Sequence, residues 1–292
     1  EPIIVSDNST WGSGPSSLDW NFGVNATPPN LCCNYDDTLV TYNTVGLKII
    51  SLNIVDSNQC EGNTTESIII YDLPIAYFTT NQPVCFDEDI EFINQSTKGD
   101  PNNPFVLFDW EFYDPEGNID IFGTSQQTPN IPPTALDSFN THTYSENIFK
   151  TIGGYVSAQL TVKDSEGCIG IYISDSSSSQ QDIEIHPLPT VKFTADPVCE
   201  GDVLIFFDNS QMDTSAVFSD ALSSTNTSAA IFNFAGITSS NTTPGFWPSG
   251  PPPVGNEWHL PTTTFGYGTY PVTLTRQTET PYECGNDTMI NV

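Results

Sequence analysis

Residues 83–92 read PVCFDEDIEF and residues 197–206 read PVCEGDVLIF. Each is Pro-Val-Cys, then an acidic patch, then an apolar stretch ending in Phe. The register continues beyond the quoted residues. Phe92, Asn94 and Ser96 follow Cys85 at the intervals at which Phe206, Asp208 and Ser210 follow Cys199. Residues 5–9, VSDNS, fit the same frame, with Val5 in the Phe place. Upstream, LPIAYF (73–78) matches LPTVKF (188–193). Downstream, LDWNFG (18–23) matches FDWEFY (108–113), and IFNFAG (231–236) is a weaker copy with Phe232 in the Trp place. GLKIISLNIVDSNQC (46–60) then aligns without a gap to GYVSAQLTVKDSEGC (154–168). GTYPVTLTRQTETPYEC (268–284) carries two extra residues before its Cys.

A period of about 115 residues is too long for a solenoid unit and fits an independent domain. The chain therefore reads as three copies of one module, at 1–72, 73–187 and 188–292, the first lacking its opening strand. The boundaries fall at Leu73-Pro74 and Leu188-Pro189, each just after an apolar run (SIIIYD, QDIEIHP) that a proline ends. Joints this short predict modules in semi-rigid register, end to end.

The fold class is all-β. In 156–162, Val156, Ala158, Leu160 and Val162 alternate with Ser157, Gln159 and Thr161, and Tyr270, Val272 and Leu274 repeat the pattern. One face is dry and one wet, the signature of antiparallel sandwiches. Trp20, Trp110 and Phe232 are expected to be the large core residues of central strands, as in Ig-like sandwiches. No run of ten residues shows convincing helical periodicity.

Composition narrows the function classes. There are 36 acidic residues against 6 basic ones, for a formal net charge of −30. Such a chain is repelled by nucleic-acid phosphates and by anionic membranes, so no nucleic-acid partner is expected. No run of 18 apolar residues is present, so membrane insertion through a helix is not expected. The chain opens on Glu1-Pro2 rather than Met, which fits a processed product or a piece of something longer.

Seven cysteines stand at 32, 33, 60, 85, 168, 199 and 284, with no CxxC, and the histidines at 142, 186 and 259 are too scattered for a zinc site. Two intramodule disulfides are expected, Cys85–Cys168 and Cys199–Cys284. Closing loops that long would contribute on the order of 4 kcal/mol each in the loop-entropy model. Cys60 holds the second cysteine place of the first module; the matching first place falls about three residues before Glu1, and Cys32 or Cys33 is the alternative partner.

The order W-x-F, then His142-Thr143-Tyr144 or Thr41-Tyr42, then Gly-x5-Leu-x-Val-x-Asp-x-x-Gly-Cys resembles PKD-type (polycystic-kidney-disease-type) repeats. LDWNFG and FDWEF keep the Trp and Phe of that family's W-D-F-G-D-G core and lose its Gly-Asp-Gly tail. The cysteine-bearing version is similar to modules in giant surface proteins of Bacteroidota, including gliding-motility adhesins exported by the type IX secretion system. The resemblance implies an extracellular, cell-surface stalk whose partners are neighbouring modules of its own chain, with surface polysaccharide or other cell-surface proteins as further candidates. Asp37-Thr38-Leu39 and Asp287-Thr288-Met289 look like the O-glycosylation triplets of such bacteria, and seven N-x-S/T sequons occur as well.

Catalytic signatures are missing: no G-x-S-x-G, H-E-x-x-H or phosphate-cradling glycine loop occurs. No catalytic residue and no cofactor is expected, apart from structural Ca²⁺. Candidate Ca²⁺ ligands are Asp87, Glu88, Asp89 and Asp202, since hard cations take several converging carboxylates. Glu88 and Asp202 occupy matching places three after their Cys, so a hydrogen bond to the turn is the other reading. Asp56 and Asp164 match too, each opening the turn before a Cys, and read as Asx-type turn formers. His142 and His186 fit strand edges. The segment 237–265 is read as an insertion of the third module. Its Phe246, Trp247 and Trp258, among prolines and glycines, form either a ligand-binding aromatic loop or a flap over their own module. The leading expectation is a non-enzymatic stalk; the alternative is a carbohydrate-binding or spacer module of a secreted hydrolase.

Overall fold

The computed structural model of the chain describes residues 2–33, 37–113, 125–127, 139–144, 147–174, 182–199, 202–218, 220, 230–234, 237–240, 257–261, 268–279 and 281–292. Among them the regular secondary structure is nearly all strand. The one α-helix is the six-residue Asn147–Ile152, too short to have shown in the periodicity. The strands form six sheets, two in each third of the sequence.

In the first third, one sheet holds Ile3–Val5, Thr38–Tyr42 and Ala26–Thr27, in that order. The other holds Asn30–Cys32, Pro15–Asn21, Gly46–Asp56 and Glu61–Ile70. Leu18, Trp20 and Phe22 alternate inward and meet Val40, Ile50 and Leu52 between the sheets. Trp20 lies opposite Leu52 and Leu31 in the register, in a central strand as expected. The vicinal Cys32 and Cys33 are bonded to each other, which leaves Cys60 an exposed free thiol and removes the alternative in which Cys60 used one of them.

The middle third repeats the plan. Phe139–His142, Ile90–Asn94 and Phe78–Thr80 make one sheet. Ser125–Gln127, Phe105–Tyr113, Gly154–Asp164, Ile183–His186 and Val84–Cys85 make the other, with Ile169–Ser174 also paired to Gly154–Asp164. Val156, Ala158, Leu160 and Val162 are all buried, as their alternation required. Trp110 is 1% exposed and packs against Phe78 and Phe92. Each such ring is worth roughly 1.5–3 kcal/mol of transfer free energy.

In the last third, Phe193–Ala195, Val203–Asp208 and Glu257–Pro261 form one sheet. Ile237–Ser240, Ala230–Phe234, Pro271–Gln277 and Gly285–Asn291 form the other. Phe193, Phe206, Phe232, Phe234, Val272 and Leu274 fill the space between them. The pairing corrects the reading of 237–265 as an insertion. Ile237–Ser240 pairs with the Phe232 strand as Ser125–Gln127 pairs with the Trp110 strand. Glu257–Pro261 pairs with Val203–Asp208 as Phe139–His142 pairs with Ile90–Asn94. The segment is the shared design with a longer connection, which its Pro and Gly content disguised.

Compactness does not follow the three-module boundaries. Residues 1–75, 97–106 and 163–170 form one compact unit, and 76–96, 107–162 and 171–292 form the other. In the first unit, Gly99 sits so close to residues 72 and 73 that a Cβ there would lie 2.3 Å from the Asp72 carbonyl oxygen. In the second unit the two sandwiches on either side of Leu188 fall within one compact body.

Candidate functional site

The hairpin cysteines are presented by one turn used three times. Asp56 N–H donates to the Cys60 carbonyl and Gln59 N–H to the Asp56 carbonyl, both at 3.0 Å. The Asp56 carboxylate accepts from Asn58 N–H at 2.8 Å and from Cys60 N–H at 2.9 Å. Asp164 does the same for Glu166 and Cys168, at 3.0 and 2.9 Å. In the third copy Thr278 replaces the aspartate. Its N–H donates to the Cys284 carbonyl, and its hydroxyl accepts from Cys284 N–H at 2.9 Å. The residue before each cysteine is left-handed: Gln59 at φ 65°, Gly167 at 90° and Glu283 at 52°. All three cysteines thus follow a residue in the left-handed region.

The opening cysteines share a second turn. Glu88 N–H donates to the Cys85 carbonyl at 3.1 Å, and Asp202 N–H to the Cys199 carbonyl at 3.0 Å. The Glu88 carboxylate folds back to accept from Cys85 N–H at 3.1 Å, so the turn hydrogen bond is the role the structure gives it. Asp89 accepts from the Thr143 hydroxyl, and Asp87 holds a left-handed position at φ 67°. Among the described residues no group of three His, Cys, Asp or Glu side chains is placed to hold a metal ion.

Cys85 is bonded to Cys284, with the Cα atoms 5.4 Å apart, across 199 residues of sequence. This overturns the expected pairs Cys85–Cys168 and Cys199–Cys284, and Cys199 is an exposed free thiol. The reason is strand length. Val84 and Cys85 run parallel to Ile185 and His186, and Ile185 pairs with Gly154. Cys85 therefore lies at the Gly154 end of Gly154–Asp164, whereas Cys168 follows the turn at the Asp164 end. Eleven residues at 3.2–3.4 Å put those ends about 30 Å apart, and a disulfide needs Cα atoms within about 7 Å.

Around this bond the second compact unit builds a joint that sequence reasoning missed. His186 ends an interior strand, not an edge, and is 1% exposed. Its ring lies between Tyr282, at 3.7 Å, and Phe218, at 4.2 Å. Its Nδ1 meets the Asp220 carboxylate at 2.8 Å, with the Glu184 carboxylate 3.7 Å from Nε2. Backbone ties run across the same joint: Val217 N–H donates to the Ile152 carbonyl and Leu188 N–H to the Lys150 carbonyl, while the Asn286 side chain holds the Pro189 carbonyl within the last third. A cleft beside the disulfide is lined by Pro83, Val84, Cys85, Glu88, Pro281 and Tyr282. The available signal was a lone histidine immediately before the Leu188-Pro189 boundary. A buried imidazole, stacked between two rings and hydrogen-bonded to a carboxylate, is built to hold surfaces together.

The remaining candidates are placed as follows. His142 ends the edge strand Phe139–His142 and stacks on Phe112 at 4.3 Å. Glu111 accepts from Tyr113 and Gln159, and burial first, then this carboxylate, push the Tyr113 phenol up to about 12. Phe246 and Trp247 lie outside the described residues. Of Trp258 only the backbone is described, opposite Phe206.

No family model matches the chain, and no curated protein matches it. Among solved structures it is similar to the fibronectin(III)-like modules of Clostridium thermocellum CbhA, at 10% identity and a TM-score of 0.33, over 64% of this chain and 86% of that one. It is also similar to SGBP-B of the Bacteroides ovatus mixed-linkage glucan utilization locus, solved in complex with a mixed-linkage heptasaccharide. There the identity is 10% and the TM-score 0.20, over 100% of this chain and 70% of that one.

Proposed function

We propose that the chain is a non-enzymatic repeat segment of a large extracellular surface protein, an adhesin or filament used in adhesion or gliding. Its task is to carry force between what lies at its two ends. One observation carries this reading: the Cys85–Cys284 bond crosses a module boundary instead of closing a module. A bond within a module stabilises that module alone. A bond across a joint makes two sandwiches resist bending and unravelling together. In the loop-entropy model a closed loop of this length contributes about 5 kcal/mol. An oxidising compartment, outside the cytosol, is where such a bond persists. The His186 imidazole and the Asp220 carboxylate meet across the joint, which supports a role in holding it together.

Stretching the oxidised chain by its termini tests the proposal. The stretch between the bonded cysteines, which stand 199 positions apart, is shielded from force. Adding reductant is expected to release about 65–70 nm of further contour length, at 3.3–3.6 Å per residue. Equal contour lengths with and without reductant would remove the basis for a load-bearing joint.

A further inference from the structure

The bonded pair joins an opening cysteine to a hairpin cysteine of the next sandwich. Both kinds recur. Cys199 shares the backbone turn bond of Cys85, and Cys60 shares the Asp-opened turn of Cys168. Cys284 closes a turn two residues longer that keeps the N–H bond to the cysteine's own carbonyl and the left-handed residue before the cysteine. Yet Cys60 and Cys199 are free thiols, and both are exposed. Exposed free thiols are uncommon where disulfides persist, unless they have a partner elsewhere. These two follow or open turns of the kind that carry the two halves of the formed Cys85–Cys284 bond.

We propose that Cys60 and Cys199 are attachment points for further modules of the same design. Cys199 takes the hairpin cysteine of a module beyond it, and Cys60 takes the opening cysteine of a module on its own side. Pairing runs always opener to hairpin, never like to like. The inference deepens the load-bearing reading, since one rule would then staple every joint of a series. Each bond forms by thiol–disulfide exchange with a low-molecular-weight disulfide such as oxidised glutathione. One protein thiolate attacks it and expels a glutathione thiolate. The second protein thiol then displaces the other glutathione, so two protein thiols lose two electrons and two protons and the oxidant leaves as two thiols.

A second copy of the chain can serve as the adjoining module. Two variants are made in a Cys168→Ser background, one with Cys60→Ser and one with Cys199→Ser. Each is incubated in a glutathione redox buffer, alone and mixed, and run without reductant. The mixture is expected to give a covalent dimer at least tenfold faster than either variant alone, with Cys199 of one copy bonded to Cys60 of the other in the peptide map. Dimer formation by either variant alone at the rate of the mixture would overturn the opener-to-hairpin rule, as would a mixture that stays monomeric. The same map reports Cys85–Cys284 in the starting protein. Its absence would sink the load-bearing reading, whereas its presence with a failed mixture would sink only this inference.

Discussion

Asp56 and Asp164 show how much of a site a single residue type can disclose. A short carboxylate that opens a turn two residues before one N–H and four before another can accept from both. That was legible from the spacing to Cys60 and Cys168. The fate of the cysteines was not, because a turn fixes where a thiol points and says nothing of what comes to meet it. Asp164 is 2% exposed, so Asp164→Ala strands the Glu166 and Cys168 amides. The expected cost is about 1–2 kcal/mol in a urea titration. Asp56 gives a pH test. The Cys60 amide first, then the Ser13 hydroxyl, hold its carboxyl below the usual aspartate range. A depressed folded-state pKa means stability that is present above the unfolded value near 3.8 and lost as pH falls through the folded value. Between pH 4 and pH 2 the wild-type chain is therefore expected to lose more stability than Asp56→Asn. Parallel losses would show the carboxylate to be unlinked to folding.

Strands were the most legible elements, since alternation fixes both the strand and its buried face. Trp20, Trp110 and Phe232 took the central places their repeats implied. What alternation cannot give is which end of a long strand a distant segment reaches. The pairing error came from that gap: 83 residues between Cys85 and Cys168 look like an ordinary closed loop until the length of Gly154–Asp164 separates them. His186 was missed for a related reason: the rings stacked on it, Phe218 and Tyr282, come from distant segments. Connections between elements can be tested through a glycine. Gly99 meets the carbonyls of Asp72 and Leu73 so closely that a methyl group would overlap both. Backbone atoms cannot rotate away as a side-chain tip can. Gly99→Ala is expected to destabilise the first compact unit by about 1–3 kcal/mol. Gly12→Ala, where nothing lies within 4 Å, should stay within about 0.5 kcal/mol. Equal denaturation midpoints for the two variants would show that the 97–106 segment yields at no cost.

At the scale of the molecule the dominant quantity is charge. Thirty-six acidic residues face six basic ones. Arg276, the sole arginine, is spent on Asp208, between the two sheets of the last sandwich. Lys48 donates to the Thr44 hydroxyl and the Val45 carbonyl instead of to a carboxylate. Most carboxylates therefore repel one another across the folded surface and do so less in an expanded chain, which lowers stability at low ionic strength. Raising salt from 0.01 to 0.15 M shortens the screening length from about 30 Å to about 8 Å, below the spacing of many surface charges. The thermal midpoint is expected to rise with added NaCl, by roughly 2–4 °C for each kcal/mol of repulsion relieved in a domain of 150–250 residues. A chain held together by opposite charges would move the other way, because salt would screen its attractions. A midpoint that falls with salt would thus show that pairs, rather than packing and disulfides, secure the fold. A rising midpoint is what the proposed force-bearing role requires: cohesion would then come from aromatic cores and covalent joints, which ionic conditions do not dissolve, while like charge keeps neighbouring chains apart.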